Sequence, residues 1–334
     1  MESEDIPPSV RLIESMRSVG YSLEAAIADL IDNSIEAGAH HIIIDADVID
    51  GKYLAVLDDG CGMTAAVARE ALRFAGTAGG REASDLGRFG LGLKTASLSQ
   101  ARCLTLVTKQ SNTVTALCWD IDFVCKSGKW YLLVLDEADR SRLPFWPSLS
   151  AQPSGTLVLW EKLDLLTGDA TLPGAFLAER LSSVRSSLAL LFHRFLSDRH
   201  DRLFITVNGI VLRAIDPFLS DNPKTQRTSP ETIKIGGDEV HIEGFTLPHP
   251  SDLSIEERRR LDLGEGMREA QGFYVYRNRR LISHGHWYGL AHRNELSKQT
   301  PQRNCFNLLK KTNKEFLEPE DFKPILKSYN QFSN

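Results

Sequence analysis

Cysteine is scarce and poorly placed for structural work. Five stand in 334 residues (Cys61, Cys103, Cys118, Cys125 and Cys305), an odd number, and no two are spaced CxxC. That excludes a disulfide-framed small domain and a cysteine zinc site, and it implies reduced thiols in a cytoplasm. Long apolar runs are also missing: none approaches the roughly 20 residues of a membrane span. The opening residues, MESEDIPPSV, are acidic and polar and lack the apolar core of a signal peptide. Neither sign of charge dominates. Lys and Arg number 39 against 44 Asp and Glu, a formal net charge of −5, which argues against a strongly electrostatic nucleic-acid or anionic-membrane binder, local basic runs aside. No internal repeat is present.

What is present is an ordinary globular composition, 42% hydrophobic and 25% charged, on a chain long enough for two domains and a sizeable core. Ser22 is a plausible N-cap for a helix running to Ala37, with Gly38 as its stop. Leu23, Ala26, Ile27, Leu30, Ile31 and Ser34 mark its packed side. Residues 41–48 and 52–57 read as two strands, and Thr64 caps a helix reaching Phe74. The glycine-rich stretch 75–88 reads as a mobile loop, followed by a helix from Gly90 to Gln100. Further strands are predicted at 104–108, 113–119, 130–135 and 155–160. The pattern is α+β: helices on one face of a mostly antiparallel sheet. A long amphipathic helix over 173–195 connects to a second α/β domain, with strands at 204–207, 211–213, 239–247 and 272–277 and an Asn208-Gly209 hairpin turn. The division expected is 1–170, 171–298 and a divergent tail, 299–334, rich in Lys and Asn.

Three segments carry chemistry: 27–37 (IADLIDNSIEA), 57–63 (LDDGCGM) and 87–95 (GRFGLGLKT). Asp29 and Asn33 are i and i+4 on one helix face. A carboxylate there can deprotonate an attacking water, and an amide oxygen can complete an octahedral Mg²⁺ shell with phosphate oxygens and waters. Glu36, at i+7, could hold a further water. Taken alone, Asp29, Asp32, Asn33 and Glu36 also fit a solvated polar face. Asp58 ends an apolar strand and can accept the exocyclic amine of adenine, which guanine cannot mimic. Gly60 and Gly62 would let backbone, with Met63, approach base and ribose; an ordinary Asp-Gly turn is the plainer alternative. Gly87, Phe89, Gly90, Leu91 and Gly92 lead into a helix start whose amides suit a triphosphate, with Lys94 adding charge and Thr95 beside it. Leu93 intrudes before Lys94-Thr95, so this is not a P-loop. Gly155-Thr156 precedes a further strand-like run.

In this order and spacing the segments resemble the GHKL ATPase superfamily of gyrase B, MutL, Hsp90-type chaperones, histidine kinases and MORC proteins. IADLIDNSIEAGA, DDGCGM and GRFGLGLKTASLSQARCLTLVTK look closest to MORC-like members, over about residues 22–163. GFYVYRNRRLI (272–282) is similar to the second domain of that group. The resemblance implies a GHKL (Bergerat) α/β sandwich followed by a smaller, ribosomal S5-like transducer domain. It implies ATP and Mg as ligands, Asn33 on Mg²⁺, Asp58 on adenine, 87–94 as lid and phosphate loop, and Thr156 on the adenine side through water. Asp29 departs from the superfamily, which usually carries Glu there; the shorter side chain puts the rate in doubt more than the binding. Such domains also place a transducer lysine on the terminal phosphate. Lys298 stands at the expected position, with Lys310 and Lys311 behind it, and a solvated lysine is the alternative.

The function expected is a Mg-dependent ATPase whose ATP binding and slow hydrolysis gate conformation or homodimerisation. MORC-like relatives imply DNA handling or defence. The alternatives are an ATP-sensing module with little hydrolysis, a chaperone-like ATPase and, last, a histidine-phosphorylating kinase, for which only about 21 residues precede Ser22. His284 and His286 could share a strand face as metal ligands but lack a third. Arg277, Arg279, Arg280 and Arg258–Arg260 read as solvated basic runs.

Overall fold

The computed structural model describes residues 9–17, 21–73, 92–168, 170–235, 238–261, 271–286 and 304–310, the last by backbone alone. Two compact units emerge. The first is formed chiefly by residues up to Leu188 together with Asp198–Leu212, the second by Ala189–Ser197 and the residues from Arg213 onward.

The first unit is built on an eight-stranded sheet. Its strands are β1 (His41–Ala46), β2 (Tyr53–Asp58), β3 (Cys103–Gln110), β4 (Thr113–Asp120), β5 (Leu133–Val134), β6 (Gly155–Glu161), β7 (Phe204–Val207) and β8 (Ile210–Val211). Their order is β5-β4-β3-β6-β2-β1-β7-β8. All neighbours are antiparallel except β1 and β7, which run parallel. Around the sheet lie α1 (Leu12–Met16), α2 (Leu23–Glu36), α3 (Ala65–Leu72), α4 (Gly92–Gln100), α5 (Ile121–Ser127), α6 (Glu137–Arg140), α7 (Trp146–Ala151) and α8 (Asp164–Thr167), followed by α9 (Pro173–Leu191).

The caps are local chemistry. Ser22 Oγ accepts from Ala25 N at 3.1 Å and Thr64 Oγ1 from Val67 N at 3.3 Å, each satisfying an amide that its helix leaves without a partner. Along each strand successive side chains face opposite ways. One face meets α2 and α3, where Ser34 of α2 reaches Asp58 and the Trp119 indole donates to the Leu72 carbonyl at 2.9 Å. The other face carries Ala55, Leu57, Val107, Ala116, Leu157 and Leu159, packed on Leu149 of α7. Helices on one face alone were expected. Instead β2, β3 and β6 are apolar at consecutive positions, so both faces need cover, and the segment around α6 and α7 gives it to the second.

Strands 204–207 and 211–213, expected in the second domain, differ in placement. β7 and β8 close the first sheet, with Ile42 opposite Ile205 and Ile44 opposite Val207. A parallel partner needs a long crossover, and the helical stretch between β6 and β7 provides it. Asn208 and Gly209 turn the β7–β8 hairpin with φ of 46° and 74°, as a type I′ turn requires. The Asn208 amide also exchanges hydrogen bonds with Ala46 N and O at 3.0 and 2.9 Å, which fixes the end of β1.

The second unit has a six-stranded sheet: β9 (Gln226–Arg227), β10 (Glu231–Ile235), β11 (Asp238–Thr246), β12 (Gly272–Arg277), β13 (Arg280–His286) and β14 (Asn304–Lys310). The order is β10-β11-β14-β12-β13, with β9 on β11, and β12 runs parallel to β14. Two short helices accompany it, α10 (His193–Leu196) and α11 (Ile255–Leu261). Phe218, Phe245, Tyr274, Tyr276 and Leu281 form its core. Residues 304–310, expected in a divergent tail without strand character, form the central strand β14. Pro301 lies before it and Pro319 and Pro324 after it, so none interrupts its ladder.

Candidate functional site

The site forms where β2 ends beneath α2. Asp58 is 6% exposed and lies opposite Thr156 in the β2–β6 ladder. Its Oδ1 accepts from Gly60 N at 2.9 Å and Thr156 N at 3.2 Å, and its Oδ2 accepts from Ser34 Oγ at 2.9 Å. A carboxylate offers about four acceptor positions. Among the described residues three are filled, so one on Oδ2 remains for an outside donor. Burial pushes the Asp58 carboxyl above its ordinary value, the three donors pull it back, and the neighbouring Asp59 charge adds to the rise.

The turn after Asp58 is clamped from several sides. Cys61 N donates to the Ala37 carbonyl at 2.9 Å, at the end of α2. Asp59 Oδ1 accepts from the amides of His40 and His41, both at 2.8 Å, at the start of β1. Met63 N donates to Thr108 Oγ1 at 2.8 Å, and Gln110 Nε2 reaches the carbonyls of Cys61 and Gly62 at 3.3 and 3.4 Å. Gly62 has φ of +67°, and a Cβ there would stand 2.1 Å from the Lys109 carbonyl oxygen. A Cβ on Gly60 would stand 2.8 Å from the Ala37 Cβ. Both glycines are therefore required by close approach within the protein itself, before any ligand is considered.

Asp29 and Asn33 are both half-buried on α2, one turn apart. Tyr21 hydrogen-bonds the Asp29 carboxylate. Burial first, then the Asp29 charge and that bond, hold the phenol above its ordinary value. Gln100 Nε2 donates to the Tyr21 carbonyl at 3.0 Å and so fixes the start of α2 against α4. The polar side of α2 is not uniformly solvated: Glu36 is exposed, but Asp32 is only 7% exposed.

Lys94 is 2% exposed, and its Nζ donates to the Arg73 carbonyl at 2.6 Å, at the end of α3. Its ammonium is thus engaged where α3 ends. Thr95 is half-buried on α4, and Gly92 opens that helix. Thr156 Oγ1 lies 3.3 Å from Thr108 Oγ1. Gly87, Phe89, Gly90, Leu91 and Lys298 lie outside the described residues, as does the loop expected over 75–88. Lys310 is described by backbone alone, in β14, and Lys311 is not described. Ser34, Thr108 and Tyr21 are the residues that sequence reasoning missed as members of this site. Ser34 was legible as one turn beyond Leu30 on the packed side. Thr108 is set by strand register, which the sequence does not display.

The donor set fits the ligands that the motifs imply. A buried carboxylate with one acceptor position left suits an amine of a base. Among the described residues no group of three or more His, Cys, Asp and Glu could hold a metal ion, so a cation beside Asn33 would take its other ligands from phosphate and water. His284 and His286 gain no such cluster.

A mixed α/β sandwich with an acid at the end of a central strand, beneath a helix bearing Asp and Asn, defines a nucleotide-binding class. Residues 21–156 match the family described as histidine kinase-, DNA gyrase B-, and HSP90-like ATPase, and the chain carries a domain of that GHKL family. It is similar to ATPase morc-1 of Caenorhabditis elegans, 38% identical over 94 residues, 28% of this chain and 11% of that protein. It is also similar to ATPase MORC2 of Homo sapiens, 32% identical over 136 residues, 39% of this chain and 12% of that protein. MORC family CW-type zinc finger protein 1 of Mus musculus is 35% identical over 112 residues, 32% of this chain and 12% of its own length. The chain thus spans about an eighth of the length of these relatives. Among the described residues no helix is long and apolar enough to cross a membrane.

Proposed function

We propose that this chain binds ATP with Mg²⁺ and hydrolyses it slowly, using the nucleotide to gate its own conformation or dimerisation. One observation carries the reading: the buried Asp58 carboxylate, satisfied by Gly60, Thr156 and Ser34, keeps one acceptor position for a donor from outside. The 6-amine of adenine is that donor; guanine presents a carbonyl at the same place and is refused. Thr156 serves the base side through water. Asn33 holds the cation by its amide oxygen. Mg²⁺, when bound, supplies charge neutralisation for the phosphates. Asp29 takes the proton of the attacking water, and Tyr21 fixes the direction of its carboxylate. The resemblance supports 75–88 as the lid, Lys298 as the lysine of a shortened transducer domain, and DNA handling or defence as the setting.

A second reading, a sensor that binds ATP and barely turns it over, draws on one specific observation. Asp29 is shorter than the usual Glu, and part of its acceptor capacity is engaged by Tyr21. Titration calorimetry with ATP and with GTP, each with Mg²⁺, tests the adenine assignment. ATP binds and GTP does not. Equal binding of the two overturns it. Phosphate release measured on the same samples separates the ATPase from the sensor.

A further inference from the structure

Cys103 and Cys118 stand on neighbouring strands of the first sheet with their sulfurs 3.4 Å apart. In the β3–β4 ladder Cys103 faces Asp120, and Thr105 faces Cys118, so the two thiols are diagonal neighbours on one face. That face also carries Val107 and Ala116, and it is the one opposite Asp58 and α2. Neither thiol belongs to the nucleotide site. Both are nearly buried, at 7% and 5% exposure, yet both line a cleft of about 450 Å³ with Thr105, Glu161, Asp139 and Arg142. One wall of the cleft is the two-residue edge strand β5, whose Leu133 pairs with Cys118. Cys61, by contrast, is exposed.

We propose that Cys103 and Cys118 form a peroxide-reactive dithiol, with Cys118 the attacking sulfur and Cys103 the resolving one. The two thiols differ in readiness. The hydrogen bond from Cys103, then that from Thr105, pull the Cys118 thiol down against the effect of burial. Donation to Cys118, burial and the charges of Cys118 and Glu161 push Cys103 up. The co-reactant is hydrogen peroxide or a small alkyl hydroperoxide, for which the cleft has room. The Cys118 thiolate attacks the O–O bond; an S–O bond forms, the O–O bond breaks, and hydroxide or alkoxide leaves and takes up a proton. Cys103 then gives up its proton and attacks the Cys118 sulfenic sulfur. The S–S bond forms, the S–O bond breaks, and the departing oxygen leaves as water. Two thiols and one hydrogen peroxide thus become one disulfide and two waters, with the sulfurs oxidised and the peroxide reduced. The product ties β3 to β4 covalently across the sheet.

The test uses the full chain, treated with hydrogen peroxide while native, then unfolded, alkylated and mapped by peptide mass spectrometry. The expected result is a Cys103–Cys118 linked peptide, lighter than the reduced pair by two hydrogen atoms and restored by a dithiol reductant. Thiolate character and access together set the rate of its formation, and the cleft that both thiols line supplies the access. Cys103→Ala abolishes the link and leaves Cys118 as a sulfenic acid that a 1,3-dione traps, whereas Cys118→Ala leaves Cys103 reduced. If either variant fails to fold, the linked peptide in the wild-type chain decides whether the two thiols react as a pair, and 1,3-dione trapping in the wild-type chain decides which sulfur attacks. Full alkylation of Cys103 and Cys118 after a dose that has oxidised Cys61 overturns the proposal, and so does irreversible oxidation of Cys118 without the link.

Discussion

At the end of β2 the Asp58 carboxylate is surrounded by N–H and O–H donors. In the second unit two buried bases, His193 and Arg280, are met by rings instead. His193 is 5% exposed and meets the Tyr276 hydroxyl at 2.9 Å. The Arg194 guanidinium lies 3.7 Å from the Tyr276 ring centroid, Arg280 4.4 Å from Phe192 and Arg279 4.6 Å from Phe195. Burying a charge is costly unless it is paired or hydrogen-bonded, and the two units meet that cost differently. The acid is held by three donors, Gly60 N, Thr156 N and Ser34 Oγ. The bases have their faces covered by aromatic side chains and hold β12 and β13 to the helical segment around α10. A basic run that looked solvated in the sequence, Arg277, Arg279 and Arg280, is therefore partly core, with Arg280 only 7% exposed.

The sharpest break of this contrast is at Asp29. Asp29→Asn is expected to keep ATP binding and lose about 10²–10⁴-fold in turnover, the usual effect of removing a general base. Phosphate release alongside calorimetry measures both. Normal turnover would move the base elsewhere on α2, and Glu36 is then a better candidate than the buried Asp32.

Acid should separate the units. His193 has its proton affinity pulled down to about 4 by burial, against 6.5 when exposed. The unfolded chain therefore takes up a proton before the folded one does. Stability present above pH 6.5 is lost as pH falls toward 4, by about 3 kcal/mol. Asp58 has the opposite sign: its folded carboxyl is raised, so its burden is greatest at neutral pH and eases as pH falls. Hydrogen exchange resolved by peptide should show protection falling between pH 6.5 and 4 in the second unit. His193→Gln should flatten that fall, and a slope unchanged by the substitution removes His193 as its cause.

Asp58→Asn comes next. Its carbonyl can still accept from Gly60 N and Thr156 N. Its amide can donate to the Ser34 hydroxyl, which has the Leu30 carbonyl as another acceptor at 3.1 Å. The fold should hold while ATP affinity falls by about 1.5–3 kcal/mol, the worth of a hydrogen bond to a charged group. Unchanged affinity would separate Asp58 from base recognition. Ser34→Ala should be the mildest, costing about 1 kcal/mol of affinity by loosening the carboxylate, with turnover of bound ATP unaltered. A larger loss of turnover than of affinity would show that Ser34 acts on the chemistry instead.

The caps at Ser22 and Thr64, the strands of the first sheet and the Asn208-Gly209 turn were legible because each is local chemistry. The segment 27–37 and the DDGCGM turn were legible because spacing along a helix or turn maps directly onto a face. Long-range partners were not. Thr108 joins the site through the register of β3 against β6, and the destination of β7 depends on pairing with β1, some 160 residues earlier. Gly60 and Gly62 were read as space for a ligand, whereas the close approach of Ala37 and Lys109 already demands them. The buried course of Lys94 depends on where α3 ends, which glycine-rich flanking sequence leaves open.

The return of β7 and β8 to the first sheet has a consequence for synthesis on the ribosome. The edge of β1 is covered only once residues 204–212 have emerged, well after the strands carrying Asp58 and Thr156. Until then the nascent sheet presents an unpaired row of amides and carbonyls along Ile42 and Ile44, open to association with other chains. A fragment ended at the sequence-based boundary of residue 170 would keep that edge for good, and its tendency to aggregate would reflect the missing strand and not a defective nucleotide site.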